Sequence, residues 1–150
     1  MILTNADAEY IRNVFLESFI DVNSVYYQNY IHQRILFSDG WCYTGYLWDC
    51  ILNKTVVSVR YILEHIKMQN SPIYILWDIH SNERIMIRDY WKYPKTAVLK
   101  VDADYVESVI DELPEDCYFF DETLSWVAAF THEELKPGKR MCFYAEVEKR

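Results

Sequence analysis

The chain has 150 residues, of which 51% are hydrophobic and 17% aromatic, a composition that excludes a disordered or low-complexity protein and predicts one packed domain over residues 1–150. Its net charge of -8, from 15 basic and 23 acidic residues, argues against general binding to nucleic acid or to anionic membranes. Only 3 glycines are present, so glycine-rich phosphate loops of the Walker and Rossmann types are excluded.

The cysteines and the N-terminal residues indicate a cytoplasmic protein. The start of the chain lacks the basic and apolar regions of a secretory signal, and no long window is both apolar and uncharged. The cysteines are widely spaced and form no CxxC motif, so we expect buried reduced thiols and neither a metal site nor a cofactor. They are Cys42, Cys50, Cys117 and Cys142.

The first predicted element is an amphipathic helix at residues 6–20. Apolar side chains recur on one face of this segment, and Thr4 or Asn5 can cap its N-terminus. Residues 21–33 are rich in aromatic side chains, and their spacing allows either a second helix or a loop.

A hairpin and a second long helix are predicted next. The turn pair at residues 39–40 lies between two runs of aromatic and branched residues, as is typical of a hairpin. Gly45 marks either a bulge or a position where another backbone comes close. Apolar residues at spacings of four and three predict a helix at residues 53–69.

The rest of the chain is predicted to form short strands and one more helix. A nearly continuous apolar run predicts a central strand, covered on both faces, at residues 73–79. A helix is expected at residues 103–113, after a cap at Asp102 and before Pro114. The other predicted strands are residues 84–88, 97–101, 117–120, 125–132 and 140–147. Together these elements predict an α+β domain with a mostly antiparallel sheet and about three helices packed on one side of it.

Acidic side chains are concentrated in one third of the chain. Residues 101–135 contain 11 of the 23 acidic residues and no lysine or arginine. Acids in the last turn of the predicted helix oppose its dipole, so local stability does not explain them. The sequence therefore predicts an acidic surface within residues 102–134 that binds a basic protein partner, and the alternative is simple solvation of an acidic protein. The predicted contact residues are Asp104, Glu107, Asp111, Glu112, Glu115 and Asp116.

The segment RDYWKYPK, residues 88–95, places basic side chains among aromatic ones. Exposed Trp, Tyr and Arg side chains are efficient contact residues, so this segment is a candidate contact loop, and the alternative is a lid whose aromatic rings fold back on the core. The same composition suits single-stranded nucleic acid, but the neighbouring acids would repel phosphates.

Catalytic and metal-binding motifs are incomplete, so the hypothesis that the protein is an enzyme is the less favoured one. THEEL, residues 131–135, lacks the second histidine of a zinc metalloprotease motif, because Lys136 stands four residues after His132. His132 beside two glutamates is a candidate general base with a raised pKa, or a strand-end histidine with local hydrogen bonds.

Two alternative functions remain open beside the acidic binding surface. One is a homodimer formed through exposed Tyr and Trp side chains. The other is a small-ligand binder or an enzyme whose pocket lies near four polar and aromatic side chains. These four are Asp121, Glu122, Trp126 and His132.

The segment LPEDCYFFDETLSWVAAFTHE, residues 113–133, resembles the C-terminal pattern of small acidic bacterial proteins of unassigned function. The shared features are an LPED-type turn, an aromatic strand ending in FD, a tryptophan and a terminal THE. Some small acidic proteins of this general kind are encoded near polymorphic toxins and are thought to act as immunity proteins. The resemblance therefore implies a binding role of the immunity type and transfers no catalytic residue.

Overall fold

The computed structural model describes residues 1–38, 40–80 and 94–147. The strands are β1 Ile2–Leu3, β2 Ile35–Phe37, β3 Gly40–Cys42, β4 Thr55–Val57, β5 Ile73–Trp77, β6 Val98–Val101, β7 Cys117–Asp121, β8 Trp126–Lys136 and β9 Lys139–Glu146. Within these ranges, seven strands form one sheet in the order β1-β6-β5-β7-β8-β9-β4, and β2 and β3 form a separate hairpin. Every pairing between neighbouring strands is antiparallel.

Four α-helices and several shorter helical turns connect the strands of the described residues. The helices are α1 Asn5–Phe19, α2 Val25–Tyr27, α3 Val59–Lys67 and α4 Val106–Val109. A π-helical turn follows α2 at Gln28–His32, and 3-10 turns lie at Leu47–Cys50, Ala103–Tyr105 and Ile110–Glu112. Of the helices in this part of the chain, none has the length and apolar character needed to cross a membrane.

The sheet is covered on both faces. Along β5, Tyr74 and Leu76 face the core beneath α1, whereas Ile73, Ile75 and Trp77 face the core beneath α3. We call these the α1 core and the α3 core. The α+β class with a mostly antiparallel sheet is confirmed. The helices, however, are divided between the two faces and are not packed on one side, because β5 and β7 bury apolar side chains in both directions.

Most predicted elements lie within a few residues of observed ones, and two differ. The predicted helix at residues 53–69 is shorter, because Thr55–Val57 pairs with β9 and Ser58 then caps α3 by accepting a hydrogen bond from the Tyr61 amide. The predicted helix at residues 103–113 is a series of short helical turns around α4. The predicted strand at residues 84–88, residue 39 and nearly all of the predicted contact loop at residues 88–95 lie outside the described residues.

Gly45 is a point of close backbone approach, as one of the two sequence-based alternatives predicted. The amides of Thr44 and Gly45 both donate to the Tyr30 carbonyl, at 2.8 and 3.0 Å. A Cβ atom at Gly45 would lie 2.6 Å from Cβ of Tyr30 and 2.8 Å from the Tyr26 hydroxyl. Glycine is therefore required here by the lack of space.

All four cysteines are buried thiols, as predicted. Cys42 and Cys50 lie in the α1 core, and Cys117 and Cys142 lie in the α3 core. Burial raises the pKa of the Cys142 thiol to about 11, so this group stays protonated at neutral pH.

Candidate functional site

The helical turns before β7 present a row of carboxylates to solvent. Val106 and Leu113 from this segment pack into the α3 core, which directs the polar side chains of the same turns outwards. Five of the six predicted contact residues are exposed, and we call these five the acidic surface. They are Asp104, Glu107, Asp111, Glu112 and Glu115.

Cations from the other described segments neutralise little of the acidic surface. Lys67 of α3 places Nζ 2.6 Å from Oε2 of Glu107, with both side chains about half exposed. Arg140 lies at the edge of the surface, but its Nη2 donates to the backbone carbonyl of Glu115. Among residues 1–38, 40–80 and 94–147, the Lys67 pair is the only ion pair that the acidic surface makes.

The sixth predicted contact residue, Asp116, is buried, so its assignment to the surface is wrong. Its carboxylate accepts hydrogen bonds from Nε1 of Trp48 at 2.9 Å and from the backbone amide of His132 at 3.0 Å. Asp116 therefore ties the start of β7 to β8 and to the turn at Leu47–Cys50. The reason for its burial is tertiary: these two donors come from parts of the chain far from residue 116.

His132 forms a pair with Asp116 on the α1 side of the sheet. Its Nδ1 lies 3.0 Å from Oδ1 of Asp116, and its Nε2 lies 3.2 Å from a carboxylate oxygen of Glu133. Burial lowers the pKa of His132, but the hydrogen bond and charge of Asp116, together with the charge of Glu133, outweigh burial and raise it overall. This geometry can hold His132 as an imidazolium ion. The role of His132 as a general base stays a prediction.

Of the four predicted pocket residues, the structure brings Asp121 and Trp126 into contact and leaves Glu122 and His132 apart from them. Asp121 is buried at the end of β7, where it accepts hydrogen bonds from Nε1 of Trp126 at 3.1 Å and from the amide of Thr123 at 3.0 Å. Trp126 lies in the α3 core, and Glu122 is exposed in the turn between β7 and β8. His132 lies six residues after Trp126 along β8, which is roughly 20 Å at the rise of a strand. Its ring contacts Tyr46 on the other face of the sheet.

A buried acid that the sequence analysis did not single out lies directly after β5. The Asp78 carboxylate accepts hydrogen bonds from the hydroxyls of Tyr43 and Tyr118, at 3.1 and 2.9 Å, and from the Leu47 amide at 3.1 Å. Burial raises the pKa of Asp78 to about 8, although these three donors act in the opposite direction. The available signal was an aspartate at the end of a strand covered on both faces.

A cavity of about 360 Å³ lies between α1 and the segment that follows it. Arg12, Asn13, Arg34 and Tyr43 provide polar groups in its wall. The floor consists of buried apolar side chains of the α1 core. They include Phe15, Leu47 and Leu76.

The described side chains include no group of three or more His, Cys, Asp or Glu residues placed to hold a metal ion. No protein family, curated protein or solved structure matches this chain. The features of the described residues that bear on function are the acidic surface, the buried Asp78 and Asp116 networks and the cavity beside α1.

Proposed function

We propose that this chain is a cytoplasmic bacterial interaction protein of the immunity type, which binds a basic protein through the acidic surface and is not an enzyme. The observation that supports this proposal is the exposure of five carboxylates on one short segment, with Lys67 as their ion-pair partner among the described residues. Asp116, Asp121 and His132 belong to buried or local networks and add nothing to this surface.

Charge of one sign on a surface acts mainly on the rate and orientation of association. A field of this kind steers an oppositely charged partner and can raise the association rate by orders of magnitude at low salt. The Debye length falls to about 8 Å at physiological ionic strength, so the advantage shrinks as salt is added. Apolar contacts respond weakly to salt, which makes ionic strength the discriminating variable.

The test is affinity capture from a bacterial lysate, followed by measurement of association kinetics for each captured protein at low and at physiological salt. The variant Asp111→Lys with Glu115→Lys reverses two exposed charges of the acidic surface. We expect it to lower the association rate about tenfold at low salt and to lose most of the salt dependence.

A matched control reverses two exposed charges on the opposite face of the sheet. Glu9→Lys with Glu17→Lys makes the same change in net charge on α1. It should leave orientation-specific binding nearly unchanged. Captured partners that bind with equal rates to the wild type and to the Asp111→Lys, Glu115→Lys variant, at either salt concentration, contradict the proposal.

Self-association is a second candidate function, which the β2–β3 hairpin favours. Its side chains include Leu36 at 62% exposure and Trp41 at 61% exposure. Within the described residues the two strands pair only with each other. Large exposed apolar patches are typical of protein contacts. In this second candidate function, the partner that covers the hairpin is another copy of this chain.

A further inference from the structure

The cavity beside α1 combines positive charge with an apolar floor. Its volume of about 360 Å³ lies within the usual range of small-molecule sites, roughly 300–1,000 Å³. Its apolar lining includes Phe15, Leu47 and Leu76, which are packed into the α1 core, and the partly buried Leu16. Arg12 and Arg34 both reach its wall.

Arg12 is held in place by neutral acceptors. Its guanidinium donates to the backbone carbonyls of Trp77, Lys95, Thr96 and Ala97, at distances between 2.7 and 3.2 Å. Carbonyl oxygens orient a guanidinium but do not cancel its charge, and no carboxylate of the described residues forms an ion pair with it. The nearby Asp78 carboxyl is directed to Tyr43 and Tyr118 instead.

Arg34 supplies a second cation with a different character. Its side chain is exposed, it lines the cavity, and none of the described acids forms an ion pair with it. Glu9 is the one acid among the described residues that line the cavity, and it is exposed on α1. The described part of the cavity wall, with Arg12, Arg34 and Glu9, therefore carries a net positive charge in a protein whose net charge is -8.

We propose that this cavity binds a small amphipathic anion of the medium-chain carboxylate class. The apolar part of the ligand lies against the apolar lining, where Leu16 offers accessible surface, and its carboxylate faces Arg34 and the field of Arg12. Arginine suits this task because its planar guanidinium can donate two parallel hydrogen bonds to one carboxylate. The site lies on the α1 face, so it is independent of the acidic surface, which lies over the α3 core.

Two ligands of equal length and opposite charge provide the test. Octanoate and octylammonium are titrated into the full chain by calorimetry, and two-dimensional amide spectra locate the binding site. We expect saturable binding of octanoate, at least tenfold tighter than octylammonium, with shifts at residues that line the cavity. Affinity should rise about fourfold for each methylene from hexanoate to octanoate, as the apolar floor requires.

Arg34→Gln removes the exposed cation without disturbing the core, and Arg60→Gln on α3 is the matched control on the other face of the sheet. The first should weaken octanoate binding about fivefold or more, whereas the second should leave it unchanged. Asp111→Lys with Glu115→Lys should also leave it unchanged, which separates this proposal from the proposed function.

Several results would overturn the proposal. One is the absence of saturable octanoate binding up to about 10 mM, because a dissociation constant of that size is already weak. Equal binding of octylammonium, equal effects of Arg34→Gln and Arg60→Gln, or amide shifts centred on α3 are the others.

Discussion

Asp78 illustrates how a single buried carboxyl can couple the stability of this protein to pH. It is 1% exposed, and it receives donors from residues on either side of it in sequence, Tyr43 and Tyr118 among them. The position after an apolar strand was visible in the sequence, but the donors were not, because they reach Asp78 only through tertiary folding. A buried polar residue whose hydrogen-bond partners come from distant segments has no local signal in the sequence.

The raised pKa of Asp78 has a definite sign. The ordinary value is 3.8 and the folded value is about 8, so the folded state binds the extra proton between these two pH values. The contribution that protonated Asp78 makes to the free energy of unfolding is fully present below about pH 4 and is lost as the pH rises through 8. Asp78→Asn removes this titration. The free energy of unfolding of the wild type should therefore fall relative to the variant by up to about 1.4 kcal/mol per pH unit.

Urea unfolding of both proteins at pH 5, 6 and 7 measures that difference. The histidines His65, His80 and His132 titrate in both proteins, so their contributions cancel. Parallel pH profiles for the two proteins would show that Asp78 keeps an ordinary pKa in the fold.

Gly45 provides a second prediction for a single residue. A methyl group at this position meets Cβ of Tyr30 at 2.6 Å, a backbone-anchored atom that cannot move aside without shifting its turn. We expect Gly45→Ala to cost about 1–3 kcal/mol in the free energy of unfolding, as overpacking does elsewhere. Thr44→Ala keeps the neighbouring amide and should change stability by less than about 0.5 kcal/mol. Equal effects of the two substitutions in chemical denaturation would contradict the steric argument.

Among the elements, local patterns predicted α1, the β2–β3 hairpin and β5 well. Each of these is defined by short-range signals: hydrophobic spacing, a turn pair and a continuous apolar run. The segment at residues 53–69 differs because its first part pairs with β9, nearly 90 residues away, and the register Thr55↔Tyr144 has no local signal. The same applies to the division of the helices between two faces, which depends on both sides of β5 and β7 being buried.

The two long helices begin with different capping, although both N-caps are hydroxyl residues. The Ser58 side chain accepts from the Tyr61 amide at 3.0 Å, whereas the Thr4 side chain makes no capping hydrogen bond to α1. Ser58→Ala should therefore cost about 1 kcal/mol, and Thr4→Ala should cost less than about 0.5 kcal/mol. Thermal or chemical denaturation measures both, and a larger loss from Thr4→Ala would show that the difference in capping has no energetic weight.

At the scale of the whole molecule, the charges and the cavity lie on different faces of the sheet. The acidic surface covers the α3 core, and the cavity with its arginines opens beside α1. The exposure of five acids could be anticipated from the apolar spacing of their segment. The burial of Asp116 and Asp121 could not, because their partners include Trp48 and Ser71, which are distant in sequence. The cavity could not be anticipated either, since it forms only where α1 meets several other segments.

The net charge makes the two candidate binding functions respond to salt in opposite ways. Copies with a charge of -8 repel each other, so association through the β2–β3 hairpin should increase as salt screens that repulsion. Binding to a basic partner should decrease instead. Sedimentation velocity from about 20 to about 500 mM salt measures the self-association directly.

Trp41→Lys tests whether the hairpin is the contact in such a self-association. It should abolish any dimer, because it places a charge in the centre of the exposed apolar patch. Tyr105→Lys is the control, since this residue is 56% exposed but lies among the acids. A chain that sediments as a monomer at all salt concentrations would remove the self-association candidate.

The distribution of the thiols makes the two halves of the interior separately observable. Cys42 and Cys50 lie beneath α1, and Cys117 and Cys142 lie on the other side of the sheet. An alkylating reagent can reach each pair only during transient opening of the layer above it. Mass spectrometry of the adducts formed under native conditions would therefore time the two openings in one sample. Adducts on Cys42 and Cys50 before the other pair would identify the α1 layer as the first to detach.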